Sequence, residues 1–184
     1  MTLQADRASD AMFKITPGME QAWLAMGKPK ATLQDIAQIE RELGIRLPAD
    51  YVDFVTRYGF VVFGRDDERR WQFSYLIERG GRKQTRQRGI SYLFTPQKML
   101  TIHRYMISLE DPDDETRPMI PPGFLPIGSD SGHARLLLDI AANPGQVWFW
   151  PQSDWRWGTE DNLALGFVAD NFADFINNLS PDTP

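Results

Sequence analysis

TLQDIAQIERELGIRLPADYVDFVTRYG, residues 32–59, reads as two short helices with a fixed break between them. Thr32 suits an N-cap, where its hydroxyl accepts from an unpaired N–H of the first turn. Asp35 follows in the capping-box position, and its charge suits a helix N-terminus. Leu33, Ile36, Ile39 and Leu43 recur at three- and four-residue spacing, which predicts one apolar face, with Glu40 on the same side. Gly44 stands where a left-handed C-cap costs glycine least. Leu47 is pushed to extended geometry by Pro48, and Pro48 suits the first turn of a second helix. Tyr51, Phe54, Val55 and Tyr58 line that helix, and Gly59 ends it. These residues predict a helical hairpin packed on a sheet.

The flanking chain is compatible with that picture. A length of 184 residues suits one domain, with room for a long insertion. The composition is 42% hydrophobic and 24% charged, ordinary for a globular protein. The net charge of −5 argues against a general nucleic-acid binder and is compatible with a basic protein partner. The absence of cysteine excludes disulfides, thiol nucleophiles and cysteine-ligated zinc. Residues 1–11 contain Asp6, Arg7 and Asp10 and no apolar run of the signal-peptide kind. No apolar run approaches the ~20 residues of a membrane helix. The expectation is a soluble, cytoplasmic protein.

Outward from the hairpin, Met19, Ala22, Trp23 and Met26 have helical spacing, closed by Gly27 and Pro29. Phe60 to Phe63 is a β-type run, and Arg65 to Arg70 a charged turn. Trp71, Phe73, Tyr75 and Ile77 alternate as a half-buried strand does. Glu78 to Gly89 is basic and glycine-containing, and reads as the loop of a hairpin whose return strand is Ile90 to Phe94. Thr95 and Pro96 are N-cap and N1 of a helix carrying Met99, Ile102, His103, Met106 and Leu109 on one face. Glu110 to Pro122 reads as an acidic surface loop. Strands follow at Phe124–Ile127, Ala134–Ile140 and Gln146–Trp150, with turns at Gly128–Gly132 and Asn143–Gly145. Trp155 and Trp157 lie in a loop, and Phe172, Phe175, Ile176 and Leu179 mark a closing helix. This order predicts an α+β domain with a largely antiparallel sheet.

Catalytic patterns fail on spacing. His103 falls on an apolar helix face and His133 beside a turn, and no His-x-x-x-His pair exists. In Gly128–Ser129–Asp130–Ser131–Gly132 the central residue is Asp130, whereas a nucleophile elbow centres its serine. A hydrolase built on Ser131 therefore ranks behind an ordinary turn. The acidic run Glu110, Asp111, Asp113, Asp114, Glu115 misses the calcium-loop template at Thr116 and Pro122. It is either a solvated loop or a docking surface for a basic partner. The basic residues Arg79, Arg82, Lys83, Arg86 and Arg88 have no interleaved aromatics for base stacking, and read as a solvated hairpin tip. Trp148 and Trp150 are core candidates. Trp155 and Trp157 either anchor an interface or cover the open end of the sheet.

Four segments taken in order resemble the SUKH superfamily, which includes the Smi/Knr cell-wall regulators and many bacterial toxin-immunity proteins. They are Ile39–Glu40 through Leu43–Gly44–Ile45 and Leu47–Pro48–Ala49–Asp50–Tyr51 to Tyr58–Gly59; Gly123–Phe124–Leu125–Pro126–Ile127–Gly128 with Gly132; Leu138–Asp139 leading to Gly145–Gln146–Val147–Trp148; and Val168 to Ile176. The chain departs at Gly59–Phe60, where Asn-Gly is frequent, and at Asn171, where serine is frequent. The segment from Arg65 to Asp114 lies outside the motifs.

The resemblance implies a twisted, largely antiparallel sheet flanked by helices, in a SUKH-like domain over 30–180. An extension with a short packed helix (1–29) precedes it and a tail (181–184) follows. It implies no enzyme activity, no catalytic, cofactor-binding or metal residues, and no cofactor. It points to an immunity protein, or antitoxin, that neutralises a polymorphic or contact-dependent toxin, a nuclease being one such target. A regulatory or scaffold module of the Smi/Knr type is the alternative. The expected partner is a cognate toxin domain, with no membrane and no direct nucleic acid, the chain being a monomer or homodimer. The candidate partner-binding residues are Asp111, Asp113, Asp114, Glu115, Trp155 and Trp157. Partner choice is assigned to the loops at 64–70, 78–89 and 110–118.

Overall fold

The computed structural model describes residues 12–24, 29–63, 71–109, 114–130 and 132–181. Its helices are α1 (Pro17–Leu24), α2 (Leu33–Leu43), α3 (Ala49–Arg57), α4 (Pro96–Ile107) and α5 (Phe172–Asn177). Its strands are β1 (Trp71–Arg79), β2 (Arg82–Ile90), β3 (Tyr92–Leu93), β4 (Phe124–Ser129), β5 (Arg135–Asp139), β6 (Val147–Trp150), β7 (Gly166–Ala169) and β8 (Ser180–Pro181).

The opening hairpin forms as its caps require. The Thr32 hydroxyl accepts from the Asp35 N–H at 3.1 Å, and the Asp35 carboxylate accepts from the Thr32 N–H at 2.8 Å. Those bonds hold the Asp35 pKa below its ordinary value. Gly44 closes α2 at φ 65°. Glu40 then staples the break: its carboxylate accepts from the Leu47 N–H at 3.0 Å and pairs with Arg46 at 3.1 Å. Pro48 is the N-cap of α3. Leu33 does not join the apolar face; it is 77% exposed. Side chains tilt toward a helix's N-terminus, so at the first position Leu33 projects past the core that Ile36 and Ile39 reach. Leu109, placed on the apolar face of the following helix, lies beyond the end of α4 and is exposed too.

Every strand pairing is antiparallel, in the order β2-β1-β7-β6-β5-β4-β3, with β8 on β1. The chain is thus α+β, as the element order predicts. The strands at the two ends of that order, β2 and β3, are separated in the chain by Ser91 alone. The sheet therefore curls until its ends meet. Ser91 donates to the Ser129 carbonyl at 3.0 Å, and Arg88 pairs with Asp130 at 2.9 Å across the junction.

Three expectations are corrected in this region. The basic stretch read as a hairpin loop is β2, in unbroken register with β1 from Trp71–Ile90 to Arg79–Arg82. The loop is only Gly80–Gly81, at φ 58° and 73°, the left-handed pair that a two-residue turn demands. The return strand is consequently consumed early, and β3 is just Tyr92–Leu93. The run Phe60 to Phe63 contributes a single bridge, Val62 to Tyr92, although Phe60, Val61 and Phe63 are buried. The charged turn expected at Arg65 to Arg70 lies outside the described residues.

One face of the sheet carries the main core, where Tyr51 and Phe54 of α3 meet Phe172 of α5 at ring separations of 5.0 and 5.3 Å. Trp23 of α1 packs on Phe54, Phe63 and Trp71. Burying one such side chain contributes about 1.5–3 kcal/mol. On the opposite face Met106, Ile120, Leu137 and Trp150 form a second cluster, with Trp148, Trp157 and Leu165 against it. That is why β5 reads as the unbroken run Leu136–Leu137–Leu138: it is buried on both faces.

Candidate interaction surface

The two histidines sit in unlike settings. His103 is buried on α4, and burial, reinforced by the Arg104 guanidinium, holds its pKa below the ordinary histidine value. The imidazole is therefore neutral at pH 7. His133 is exposed beside β5. Ser131 lies outside the described residues. Among the described residues no group of three His, Cys, Asp or Glu side chains can hold a metal ion, and no helix is long and apolar enough to cross a membrane.

Asp111 and Asp113 also fall outside the described residues. Asp114 is engaged locally. It accepts from the Thr116 N–H at 2.9 Å, from the Thr116 hydroxyl, and pairs with Arg117. Arg117 lies over the Tyr105 ring, 4.0 Å from its centroid, and its Nε donates to the Tyr105 carbonyl. Asp114 thus anchors the loop on α4 with its charge neutralised, while Glu115 is exposed.

Trp155 and Trp157 divide their roles. Trp157 is half-buried against the second cluster, covering that face of the sheet. Trp155 is 52% exposed. The loop that presents it is pinned from beneath. Asn162, only 2% exposed, accepts from Trp150 Nε1 at 2.9 Å and donates to the carbonyls of Met119 and Trp155, both at 2.8 Å. Ser153 accepts from the Trp155 N–H at 3.1 Å and donates to Asp161 at 2.6 Å. The Trp157 N–H donates to the Pro118 carbonyl at 2.7 Å. These bonds join the loop after α4 and the tryptophan loop into one body. Asp114, Glu115, Trp155 and Trp157, remote in sequence, therefore belong to one end of the molecule.

Two residues that sequence reasoning missed complete this end. Tyr105 is 59% exposed and borders two depressions. One, of about 540 Å³, is lined by Arg104, Leu109, Asp114 and Arg117. The other, of about 280 Å³, is lined by His133, Trp150, Gln152 and Asp154. The signal for Tyr105 was its place off the buried face of α4. Asn162 gave no signal, because its three partners, at Met119, Trp150 and Trp155, converge on it only in the folded chain. The arrangement supplies large, rigid aromatic surface beside charged groups, which suits recognition of another molecule.

No curated protein matches the chain. The model of the SMI1 / KNR4 family (SUKH-1) matches residues 30–178, from just before the capping box of α2 to the end of α5. The match takes in β1 and β2, which the sequence motifs did not cover, and on this evidence the chain belongs to the SMI1 / KNR4 family (SUKH-1).

Proposed function

We propose that the chain is an immunity protein that neutralises a bacterial toxin domain by stoichiometric binding, with a basic nuclease as the fitting partner. The observation that carries the reading is the surface around Trp155 and Tyr105, which is exposed, aromatic and backed by hydrogen bonds from Asn162, Ser153 and Arg117 to its main chain. Such preorganisation lowers the ordering cost of association. A net charge of −5 favours encounter with a basic surface. Glu115 adds an exposed carboxylate to that surface, and Asp114 acts by holding the loop in place.

The test is co-purification with the toxin domain encoded beside this gene, followed by calorimetry and a growth-protection assay. A one-to-one complex and protection are expected. Trp155→Ala and Tyr105→Ala should each weaken binding about 30-fold, the size of a hot-spot loss. Charge reversal at Asp111, Asp113 and Glu115 should slow association in a salt-dependent way. A chain that neither binds nor protects against any neighbouring toxin would sink the proposal.

A further inference from the structure

Seven consecutive residues of β2, Arg82 to Arg88, are exposed. β2 pairs with β1 on one side, and among the described residues nothing pairs with its other side. The tight turn determines which backbone groups face that open side. Arg79 and Arg82 flank it and form the first hydrogen-bonded pair, so Ile77 with Gln84 and Tyr75 with Arg86 are hydrogen-bonded pairs as well. The N–H and C=O groups of Lys83, Thr85 and Gln87 consequently point outward. The same parity directs the Leu76 and Gln72 backbone away from β2, and that is where β1 meets Phe167 of β7 and Ser180 of β8.

The edge is also a strip of positive charge on an acidic molecule. Arg79, Arg82, Lys83, Arg86 and Arg88 lie on or beside it, and residues 82–88 contain no carboxylate. Arg88 is paired with Asp130, and Arg86 donates to Gln84. Cations on an edge blunt pairing with a second copy of the same edge. The same cations favour a strand that carries carboxylates opposite them. Bases find no aromatic side chain between Arg82 and Arg88 on which to stack.

We propose that the outer edge of β2 receives an acidic, extended polypeptide segment as an added strand. Main-chain hydrogen bonds to Lys83, Thr85 and Gln87 hold the segment. Arg82, Lys83 and Arg86 select its carboxylates. The inference does not rest on the toxin reading, since it concerns a different surface.

The probe is a fluorescein-labelled peptide of alternating glutamate and valine, matched in length to β2 and followed by anisotropy at low and high salt. Binding that weakens with salt is expected, and Arg82→Glu with Arg86→Glu should abolish it. Thr85→Pro removes an outward N–H while leaving the bonds to β1 intact, as proline on an edge strand can. It should weaken binding at least about tenfold, whereas Thr85→Ala should not. If Thr85→Pro fails to fold by circular dichroism, methylating alternate amides of the peptide removes the same bonds from the other partner. The proposal is overturned if the peptide does not bind at low salt. It is equally overturned if blocking the amides leaves affinity unchanged, or if a single-stranded oligonucleotide of equal charge binds more tightly than the peptide.

Discussion

Replacing Asn162 with alanine should destabilise the fold by about 2–4 kcal/mol and loosen the surface that carries Trp155. The side chain makes three hydrogen bonds, to Trp150 Nε1, the Met119 carbonyl and the Trp155 carbonyl. A typical bond contributes about 1 kcal/mol net, and a buried donor left without a partner costs about 1–3 kcal/mol. Trp150 is only 2% exposed, so the change leaves its indole N–H buried without its protein acceptor. The Trp155 carbonyl belongs to an exposed residue and can be hydrated, which trims the total. The main-chain bonds from Gly158 to Asn162 and from Asn162 to Thr159, both 2.9 Å, survive the substitution, so the loop loosens without being lost. For a domain of this size the melting temperature should fall by about 4–16 °C. Asn162→Asp should be worse than alanine at neutral pH, because it sets a buried carboxylate against two carbonyl oxygens. Urea titration followed by tryptophan fluorescence and circular dichroism measures the loss. A drop below about 1 kcal/mol for Asn162→Ala would refute the role given to this residue.

Three further outcomes are expected. A Cβ on Gly166 would stand 2.3 Å from the Tyr75 ring, so Gly166→Ala should cost about 1–3 kcal/mol, and Tyr75→Leu in the same chain should recover part of it; equal losses with and without Tyr75→Leu would exclude the clash. Asp139, 2% exposed, accepts from the N–H groups of Ala141, Ala142 and Asn143 at 2.8, 3.0 and 3.0 Å, so Asp139→Ala should destabilise by about 2–4 kcal/mol in urea, and a near-neutral result would contradict this account of the turn. The folded-state pKa of His103 lies below its unfolded value, so the unfolded chain binds more protons in the interval between them. Stability should therefore fall as pH drops from about 6.5 toward the folded pKa, and His103→Met should flatten that part of the curve relative to the parent.

The parts of the fold legible in sequence are those where a few neighbouring residues decide the outcome. Thr32 and Asp35 form the capping box because the two groups are three residues apart. Gly44 closes α2 because a left-handed φ is a local demand. The alternation of Phe73, Tyr75 and Ile77 marked β1 because one face is buried. β2 was hidden for the converse reason. With Arg82 to Arg88 exposed throughout, its side chains carry no period, and Gly80–Gly81 was the one available sign. β7 was missed because it is four residues long and contains Gly166, whose lack of a side chain makes room for Tyr75. β8 is shorter still and exists through its pairing with β1.

The candidate surface divides the same way. The aromatic character of Trp155 and Trp157 was visible, and so was the choice between anchoring and covering; the structure packs Trp157 against the second cluster and leaves Trp155 52% exposed. Asp114 looked like any member of an acidic run until Thr116 and Arg117 engaged it. Tyr105 became prominent because Arg117 packs on it from a later loop. The sequence by itself determined the helical hairpin, the fold class and the resemblance to a family, because caps, turns and apolar periods act over a few residues. The tertiary structure alone decided the strand order, the place of β2 at the end of that order among the described residues, and the joining of the two loops through Asn162. Those depend on contacts between segments far apart in the chain, and whether a side chain is free, paired or buried is settled only when the distant partner arrives.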